Sequence, residues 1–352
     1  MYRKTYKEIN LKNIEYNVKT VIKKYNNYKY YFGVVKANCY GHGIKSIDSI
    51  IKAGCNYLAV ATLEEALEIR NVYNNIPILC LGHIDSKNIP TCIKNNITIT
   101  VNSLEYANEL NNKDLTNLKV HIKINTGMNR LGINNKEDLY NTIKLLKVGH
   151  ANIEGLYTHI YEASNSISTN KQIEVFTKIY DLIKQENIKI IHFQASEALE
   201  KYEKLEFING CRLGIIMYGF NEVNNIKLKS TFKLYSEIIQ IHKIHKDETV
   251  GYNAKHKARN EELIGVVAIG YADGIIRKNI GRNVYINNKP YEIVGNICMD
   301  MLFVKIDNNV SLYDKVEIIK DNEHIKEIAK HLDTIPYEIM CNISNRVPNI
   351  YK

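Results

Sequence analysis

The sequence lacks several features that would mark a membrane, secreted or nucleic-acid-binding protein. It contains no stretch of 18 consecutive apolar residues, and the N-terminal segment MYRKTYKEINLKNIEYNVK has no apolar signal-peptide core. The formal net charge is +9, yet no run of basic residues interleaved with aromatics marks a nucleic-acid-binding face. We therefore expect a soluble, cytoplasmic protein that binds neither membranes nor nucleic acids.

Cysteine pairs at metal-binding or redox spacing are also missing. The seven cysteines are an odd number, and no two of them form a CxxC pair. Scattered cysteines of this kind are typical of a reducing compartment, where they serve mostly in packing. The sequence thus predicts reduced thiols and no metal site.

The chain itself has an ordinary globular composition. It has 352 residues, of which 45% are apolar and 24% are charged. This length suits one large domain with a smaller second one, and it is ample for a buried core.

Short apolar runs alternate with longer segments of helical periodicity, such as Leu63–Val72 and Glu137–Leu146, between about residues 30 and 217. Eight strands alternating with helices predict an α/β fold, the (β/α)8 TIM-like barrel, and a doubly wound sheet is the rival that fits less well. The eight predicted strands are Tyr30–Lys36, Tyr57–Ala61, Pro77–Leu81, Ile97–Val101, Lys119–Asn125, Glu154–His159, Ile190–Ala195 and Arg212–Met217.

Beyond about residue 230, alternating runs are separated by turn residues such as Asn287-Asn288, and helical periodicity returns only near Ile325–Leu332. We therefore predict a barrel domain of residues 1–230, whose N-terminal strand can join the other domain, and a mostly β C-terminal domain of residues 231–352. The predicted β runs are Glu237–Ile244, Leu263–Ile269, Val284–Ile286, Tyr291–Val294, Met301–Ile306 and Lys315–Ile319.

Lys36 is the first candidate catalytic residue. Barrel chemistry occurs at the C-terminal ends of the strands, where Lys36, His159, Ser196 and Gly214 fall. Desolvation lowers the pKa of a lysine amine, and the neutral amine can condense with a carbonyl cofactor or act as a base. The glycines that follow Lys36 are typical of a loop that opens into a helix. From position alone, the alternative is a structural lysine whose amine reaches solvent.

The string VVKANCYGHG, which contains Lys36, resembles the pyridoxal-phosphate lysine motif of the alanine racemase family. The resemblance continues over nearly the whole chain. It implies that pyridoxal 5'-phosphate is the cofactor, that Lys36 attaches it, and that two identical subunits share their active sites. It also implies an isomerase that interconverts L-alanine and D-alanine and so supplies D-alanine for peptidoglycan.

Racemisation removes a proton from one face of Cα and delivers one to the other, so two groups on opposite sides of the cofactor suffice. The segments VGYNA and GYADG are similar to the family's paired C-terminal tyrosines. This similarity implies that Lys36 and Tyr252 are the two bases and that Tyr271 lies on the substrate side. It also implies that His159, in LYTH, bridges Tyr252 and Arg212. Without these motifs, a strand-end histidine or a tyrosine in a β domain is normally structural.

Arg212, in CRLGI, resembles the arginine that contacts the cofactor's ring nitrogen in this family. Arginine can only donate hydrogen bonds, so that nitrogen stays unprotonated, which shortens the lifetime of the carbanion and disfavours transamination. A salt bridge inside the barrel is the structural alternative. The resemblance assigns the phosphate to Tyr40, Ser196 and the backbone amides of Gly214 and Ile215, and such donors suit a dianion.

The segment KINTGMNRLG resembles the family segment whose lysine is often carbamylated and whose arginine reaches the cofactor's phenolic oxygen. This implies that Arg130 stabilises that oxygen and contacts the substrate, while a carbamate on Lys123 fixes Arg130. An unmodified structural lysine is the alternative.

The segment VGNICMD resembles the family's C-terminal signature. The resemblance implies that the Met299 amide binds the substrate carboxylate and that Asp300 supports the tyrosine network. It gives Cys298 a packing role. It also implies that Met299 and Tyr252 reach each active site from the partner subunit.

Four positions depart from the family pattern. Asn345, Asn296, Ser164 and Ala195 stand where the family usually has tyrosine, arginine, aspartate and asparagine, while the usual Arg277 is kept. In the family, the tyrosine that Asn345 replaces narrows the inner gate of the active site and reaches the cofactor's phosphate. These departures suggest a roomier, less charged entrance, and asparagine at position 345 resembles the serine racemase branch. Neutral drift is the alternative explanation.

The sequence therefore predicts a pyridoxal-phosphate-dependent alanine racemase. A serine or dual alanine/serine racemase is the first alternative, because Asn345 offers a hydrogen bond to a substrate hydroxyl. A non-catalytic pyridoxal-phosphate carrier is disfavoured, since such proteins end after the barrel. A fold-related decarboxylase is disfavoured because the Tyr252 and Met299 motifs match racemases.

Overall fold

A computed structural model of the protein describes residues 2–221, 223 and 226–352. They form two compact units. The barrel unit comprises Glu15–Cys39 and Ile44–Leu228, and the β unit comprises the residues up to Ile14, Tyr40–Gly43 and Lys229–Lys352. Within the described ranges, no helix combines the length and the apolar character needed to cross a membrane.

Eight parallel strands close into a barrel, which confirms the predicted fold class. The rival doubly wound sheet is wrong, because the first and last barrel strands pair with each other, with Tyr31 opposite Cys211. The chain begins with β1 (Tyr6–Ile9) and α1 (Leu11–Lys24), and the barrel strands are β2 (Tyr30–Val34), β3 (Tyr57–Val60), β4 (Ile78–Cys80), β5 (Ile97–Val101), β6 (Lys119–Lys123), β7 (Asn152–Tyr157), β8 (Ile190–Ala195) and β9 (Gly210–Leu213).

The prediction of the eighth barrel strand as Arg212–Met217 is wrong. Strand β9 ends at Leu213, because Gly214 turns the backbone away with φ −105° and ψ −115°. The apolar residues that follow form a 3-10 turn, Ile215–Tyr218, and are buried there. An apolar run of this length does not distinguish a strand from a buried turn. The turn places the backbone amides of Gly214 and Ile215 just beyond the strand end.

Helices connect the barrel strands, and both helical segments named from the sequence are confirmed. Thr62 and Glu65 form a reciprocal capping box that starts the helix over Leu63–Arg70, and Asn135 caps the helix that begins at Lys136. The helices of the barrel unit after α1 are α2 (Ser46–Lys52), α3 (Leu63–Arg70), α4 (Ile89–Lys94), α5 (Leu104–Asn111), α6 (Lys136–Val148), α7 (Ser166–Ile183) and α8 (Ser196–Lys201).

The β unit is built on an eight-stranded sheet in which β1 pairs antiparallel with β10 and parallel with β18. Each of the six predicted β runs overlaps one strand, although Leu263–Ile269 extends two residues beyond its strand and Met301–Ile306 begins one residue before its own. Asn287 and Asn288, with φ of 51° and 65°, form a tight hairpin turn. Its elements are β10 (Phe232–Ile244), β11 (Thr249–Val250), β12 (His256–Lys257), β13 (Glu262–Val267), β14 (Asn283–Ile286), β15 (Lys289–Val294), β16 (Leu302–Ile306), β17 (Lys315–Ile319), α9 (Asn322–Leu332), α10 (Pro336–Cys341) and β18 (Asn349–Tyr351).

Candidate active site

Lys36 lies two residues beyond β2, at the start of a left-handed turn. The four residues after it, 37–40, have φ angles between 51° and 55°. Left-handed backbone costs an ordinary L-residue about 1–2 kcal/mol, so this turn needs support from its surroundings. The Ala37 N–H donates to Glu65 Oε1 at 2.7 Å, and the Cys39 N–H donates to the Val35 carbonyl at 3.0 Å. The turn, and not a helix, carries Lys36 away from the strand, and helix α2 begins only at Ser46.

Glu65 is a supporting residue that the sequence analysis missed. Its second carboxylate oxygen accepts the N–H groups of Ala61 at 2.8 Å and Thr62 at 3.3 Å. One side chain therefore joins the end of β3 to the turn that carries Lys36. The only sequence signal was the capping box, which predicts the start of α3 but not the contact with Ala37.

Lys123 is the last residue of β6 and is buried, with Nζ 5.7 Å from the centre of the Tyr157 ring. Burial lowers the pKa of its amine to about 8, and three nearby cations add to the shift: Arg130, Arg212 and Lys36. The barrel unit therefore brings together the two lysines and two arginines that the sequence analysis singled out.

Arg130 is exposed on a loop that one asparagine organises. The Asn125 side-chain oxygen accepts the N–H groups of Gly127 at 3.1 Å and Asn129 at 3.0 Å. Its amide nitrogen donates to the side chains of Asn129 at 2.9 Å and Asn134 at 2.6 Å. These bonds give the Arg130 loop a defined shape next to the end of β6.

Arg212 is buried in β9, and its side chain is held by hydrogen bonds to neutral groups. It donates to His192 Nδ1 at 2.7 Å and to the carbonyls of Thr158 at 3.0 Å and Phe193 at 2.9 Å. It also donates to His159 Nδ1 at 3.1 Å. Among the described residues, each of its hydrogen bonds goes to a neutral acceptor, so the barrel salt bridge considered as an alternative is wrong. Burial lowers its pKa to about 10, which still leaves the guanidinium charged at neutral pH.

His159 is held neutral by its surroundings. Burial lowers its pKa to about 3, and the charge of Arg212 is the next largest cause. Because Arg212 can only donate, Nδ1 of His159 must accept, and the ring proton lies on Nε2. The Gln172 side chain donates to the His159 carbonyl at 3.1 Å and fixes the backbone there. His159 is thus a neutral imidazole with one N–H left to donate.

A group of hydrogen-bond donors lies at the start of α8. The Ser196 hydroxyl is buried and accepts from the Gly214 N–H at 3.2 Å, which brings together two of the three barrel-unit residues assigned to the phosphate. Tyr40 belongs to the β unit, where its ring lies 5.7 Å from that of Tyr337. Burial raises the pKa of Tyr40, so its hydroxyl stays protonated and able to donate.

Tyr252 lies in the β unit, and its side chain is 70% exposed. It sits in a turn between Gly251, with φ 71°, and Asn253, with φ 61°. The Asn296 side chain donates to the Tyr252 carbonyl at 2.7 Å. Asn296 is itself buried. Its bond to Tyr252 is a contact that the sequence did not predict, since Asn296 was expected only to widen the entrance.

Tyr271 and Met299 are neighbours in the β unit. The Tyr271 N–H donates to the Cys298 carbonyl at 3.0 Å, and the Ala272 N–H donates to the Met299 carbonyl at 2.9 Å. Gly270 permits this approach, because a Cβ there would lie 2.4 Å from the Cys298 oxygen and 2.5 Å from the Met299 oxygen. The side chains of Tyr271 and Met299 are both exposed.

The remaining candidate residues are mostly exposed. The Asp300 carboxylate accepts a hydrogen bond from Arg346 at 2.7 Å. Asn345, Ser164 and Arg277 are exposed, and Ala195 is half-buried at the end of β8. All seven cysteines are free thiols, with Cys298 half-buried. In the described part of the chain, no group of three or more His, Cys, Asp or Glu side chains is arranged to hold a metal ion.

Comparison with known proteins agrees with this arrangement. Residues 9–222 match the family model described as "Alanine racemase, N-terminal domain", and residues 231–351 match "Alanine racemase, C-terminal domain". An alanine racemase of Ligilactobacillus salivarius is 34% identical over 368 residues, covering 100% of this chain and 99% of that protein. One from Helicobacter pylori is 35% identical over 378 residues and covers 99% of each.

Solved structures agree with the sequence relatives. The Bacillus anthracis alanine racemase with bound L-Ala-P superposes with a TM-score of 0.93 at 32% identity, covering 100% of this chain and 96% of that one. An alanine racemase of Clostridium difficile gives a TM-score of 0.94 at 33% identity with the same coverage. Since both family models and these full-length relatives match, the chain belongs to the alanine racemase family.

Proposed function

We propose that this protein is a pyridoxal-phosphate-dependent alanine racemase that interconverts L-alanine and D-alanine. The observation that carries the proposal is the buried Arg212, whose guanidinium donates to neutral acceptors, including His159. The charges of Arg212 and Lys36 both lower the pKa values of Lys123 and His159, so these groups form one positively charged site. Among the described residues, no carboxylate bonds directly to this guanidinium, so the site suits a ligand that brings a phosphate and a carboxylate.

The residues present fit pyridoxal phosphate. Lys36 would attach it, and the Ser196 hydroxyl with the amides of Gly214 and Ile215 would hold its phosphate, together with the protonated hydroxyl of Tyr40. When bound, the cofactor supplies the electron-withdrawing ring that acidifies the Cα proton of the amino acid.

Arg212 sets the electronic character of the site. It keeps its proton at neutral pH, so it can only donate to a ring nitrogen and never protonate it fully. A weaker electron sink leaves less time for side reactions such as transamination. This property favours a racemase over other pyridoxal-phosphate chemistry.

Proton transfer needs one group on each face of Cα. The Lys36 amine would serve one face and the Tyr252 phenol the other. The neutral His159 accepts from Arg212 at Nδ1 and keeps its Nε2 proton available for the phenol oxygen of the tyrosine base. Arg130 would stabilise the phenolic oxygen of the cofactor, and the Met299 amide would bind the substrate carboxylate.

The exposed side chains of Tyr252, Met299 and Tyr271 in the β unit support a homodimer with shared active sites. Tyr252 is 70% exposed, Met299 is 52% exposed and Tyr271 is 41% exposed. Large apolar side chains that cluster on a surface mark an interaction face. We infer that a second copy of the chain covers them in a two-fold dimer, where each Tyr252 serves the partner subunit's barrel.

A racemisation assay tests the proposal. Protein reconstituted with pyridoxal phosphate should convert L-alanine to D-alanine with a kcat/KM above that for L-serine. Lys36→Ala should reduce the rate by at least about 1,000-fold, since it removes both the attachment point and a base. Lys178→Ala, an exposed lysine of α7, is the matched control and should retain full activity.

The same assay distinguishes the other assignments. A higher kcat/KM for serine would replace alanine by serine as the substrate. Cofactor binding without racemisation of either amino acid would identify a pyridoxal-phosphate carrier and reject the enzyme assignment.

A further inference from the structure

A row of polar side chains crosses the barrel interior behind Arg212. Arg212 donates to His192 Nδ1 at 2.7 Å, and His192 Nε2 lies 3.0 Å from His121 Nδ1. His121 Nε2 in turn lies 3.5 Å from Glu154 Oε2. Both histidines are completely buried, whereas the Glu154 side chain is 11% exposed. The row therefore runs from the buried guanidinium to a carboxylate that solvent can reach.

The hydrogen bonds in this row have one direction. Arg212 can only donate, so Nδ1 of His192 must be the acceptor and the proton of its neutral ring lies on Nε2. That proton can only point at His121 Nδ1, which puts the proton of His121 on Nε2, facing Glu154. Each ring thus has a single tautomer that satisfies both of its neighbours.

The protonation states fit the same direction. Burial lowers the pKa values of His121 and His192, so both rings are neutral. Burial opposes ionisation of Glu154, but its contacts with His121 and Tyr57 hold its pKa below the usual value. Glu154 is therefore ionised, and its charge is opposite to that of Arg212.

The last step of the row is its longest. A separation of 3.5 Å exceeds a well-formed N–H···O bond, and within the described residues His121 Nε2 has no closer acceptor. Glu154 is anchored on its other side, because the Tyr57 hydroxyl donates to Oε2 at 2.8 Å and Thr98 bonds to that hydroxyl at 2.7 Å. A buried N–H without an alternative acceptor depends on this carboxylate.

The barrel is shaped to accommodate the two imidazoles. A Cβ at Gly155 would lie 2.4 Å from His121 Nδ1, so only glycine leaves room for that ring. His192 is stacked between two aromatic rings, with centroid distances of 4.6 Å to Phe32 and 4.8 Å to Tyr157. These two stacked rings hold the plane of the His192 imidazole, which keeps its two nitrogens in line with Arg212 and His121.

We propose that Glu154 and His121 are positioning residues for Arg212. Through His192 they fix the orientation of the acceptor to which the guanidinium donates. The logic is that of a carboxylate that orients a histidine by binding its second nitrogen. Their role in the reaction rests on the proposed function, in which Arg212 faces the cofactor's ring nitrogen.

The absence of either residue has a definite consequence. Without the carboxylate, the Nε2 proton of His121 has no anionic partner and the row loses its polarity. His192 then becomes a weaker acceptor, and Arg212 is held less firmly in the orientation that serves the ring nitrogen. The proposed contact of the substrate carboxylate is the Met299 amide and not Arg212, so the loss should appear in kcat and not in KM.

The first measurement uses the full chain without added cofactor. Protein labelled with ¹⁵N-histidine should show both His121 and His192 as neutral rings protonated on Nε2 at pH 7. Glu154→Gln should shift the His121 Nε2 and His192 Nδ1 resonances. Thr142→Val, which removes a buried hydroxyl of α6 that bonds to no member of the row, is the control and should leave them unchanged.

The second measurement is kinetic and uses the reconstituted enzyme. Glu154→Gln should lower kcat about tenfold with KM for alanine unchanged within about twofold, while Thr142→Val should keep the wild-type kcat. Unshifted histidine resonances in Glu154→Gln would overturn the proposal, and so would shifted resonances with an unchanged kcat.

Two further outcomes keep the inference separate from the proposed function. If Glu154→Gln does not fold, the wild-type spectrum alone decides, since a His192 ring protonated on Nδ1 or on both nitrogens contradicts the row. If the wild-type protein racemises neither alanine nor serine, the proposed function and the kinetic role fail together. The tautomers of the histidine row would still be read in that case, which separates failure of the row from failure of the function.

Discussion

Lys123 should react with carbon dioxide far more readily than an ordinary lysine. Only the neutral amine attacks carbon dioxide, and burial with nearby cations lowers the pKa of Lys123 from 10.5 to about 8. At pH 7.4 this raises the neutral fraction from roughly 0.1% to roughly 20%, an increase of about 250-fold. The product is an anion, which would lie beside Arg130 and Arg212.

The lowered pKa of Lys123 also makes the stability of the folded protein depend on pH. The folded-state pKa is lower than the unfolded value, so the folded protein binds fewer protons between pH 8 and 10.5. The shift means that a protonated Lys123 costs about 3 kcal/mol of stability below pH 8, and this cost disappears as the pH rises toward 10.5. Carbamylation removes the same cation and should therefore stabilise the protein at pH 8.

The assay combines ¹³C NMR with thermal unfolding. With ¹³C-bicarbonate at pH 8, the protein should show a carbamate signal and a higher Tm, both reversed on lowering the pH. Lys123→Met keeps the chain length without the amine, so it should show neither effect. A signal that persists in Lys123→Met, or an equal rise of Tm in both proteins, would refute the reasoning.

Three further changes test the β unit. Asn296→Leu removes the bond to the Tyr252 carbonyl, worth about 1 kcal/mol, so kcat should fall roughly fivefold to tenfold while cofactor affinity, measured by titration, stays constant. Asn345→Tyr should lower the ratio of kcat/KM for serine to that for alanine by about tenfold if the asparagine admits a hydroxyl, and an unchanged ratio would reject that hypothesis. Gly270→Ala places a Cβ 2.4 Å from the Cys298 carbonyl, so the free energy of unfolding should fall by about 3 kcal/mol, and an unaltered Tm would contradict the close approach.

Periodicity in the sequence was sufficient for the fold. The alternation of apolar runs with helical segments predicted eight strands, because each run is short, apolar and bounded by turn residues. The closed barrel confirms that number. Pattern alone failed at β9, where Ile215, Ile216 and Met217 are as apolar as a strand but are buried in a turn. Only the conformation of Gly214, which no pattern reports, decides between the two.

The polar interior of the barrel was not foreseen, although a signal existed. Alternate residues of β6 and β8 lie on the same face, so His121 shares its face with Lys119 and Lys123, and His192 shares its face with Ile190 and Gln194. A polar residue at such a position must find a buried partner, but its identity depends on strands distant in sequence. Glu154 lies 33 positions from His121 and pairs with it only because β6 and β7 are neighbours. The same limit applies to the bond between Asn296 and Tyr252.

The charges in the barrel unit explain why this site should bind its ligands tightly. Burial lowers the pKa values of Lys123, His159 and Arg212, and neighbouring cations lower those of Lys123 and His159 further. A cluster of like charges in a buried site costs folding free energy until an anion arrives. The phosphate of a bound cofactor and the carboxylate of its substrate would supply that charge, so binding should raise these pKa values and stabilise the fold together. In the proposed row, Glu154 orients the acceptor of Arg212 through His121 and His192, and it leaves the neutralising charge at the site to the ligands.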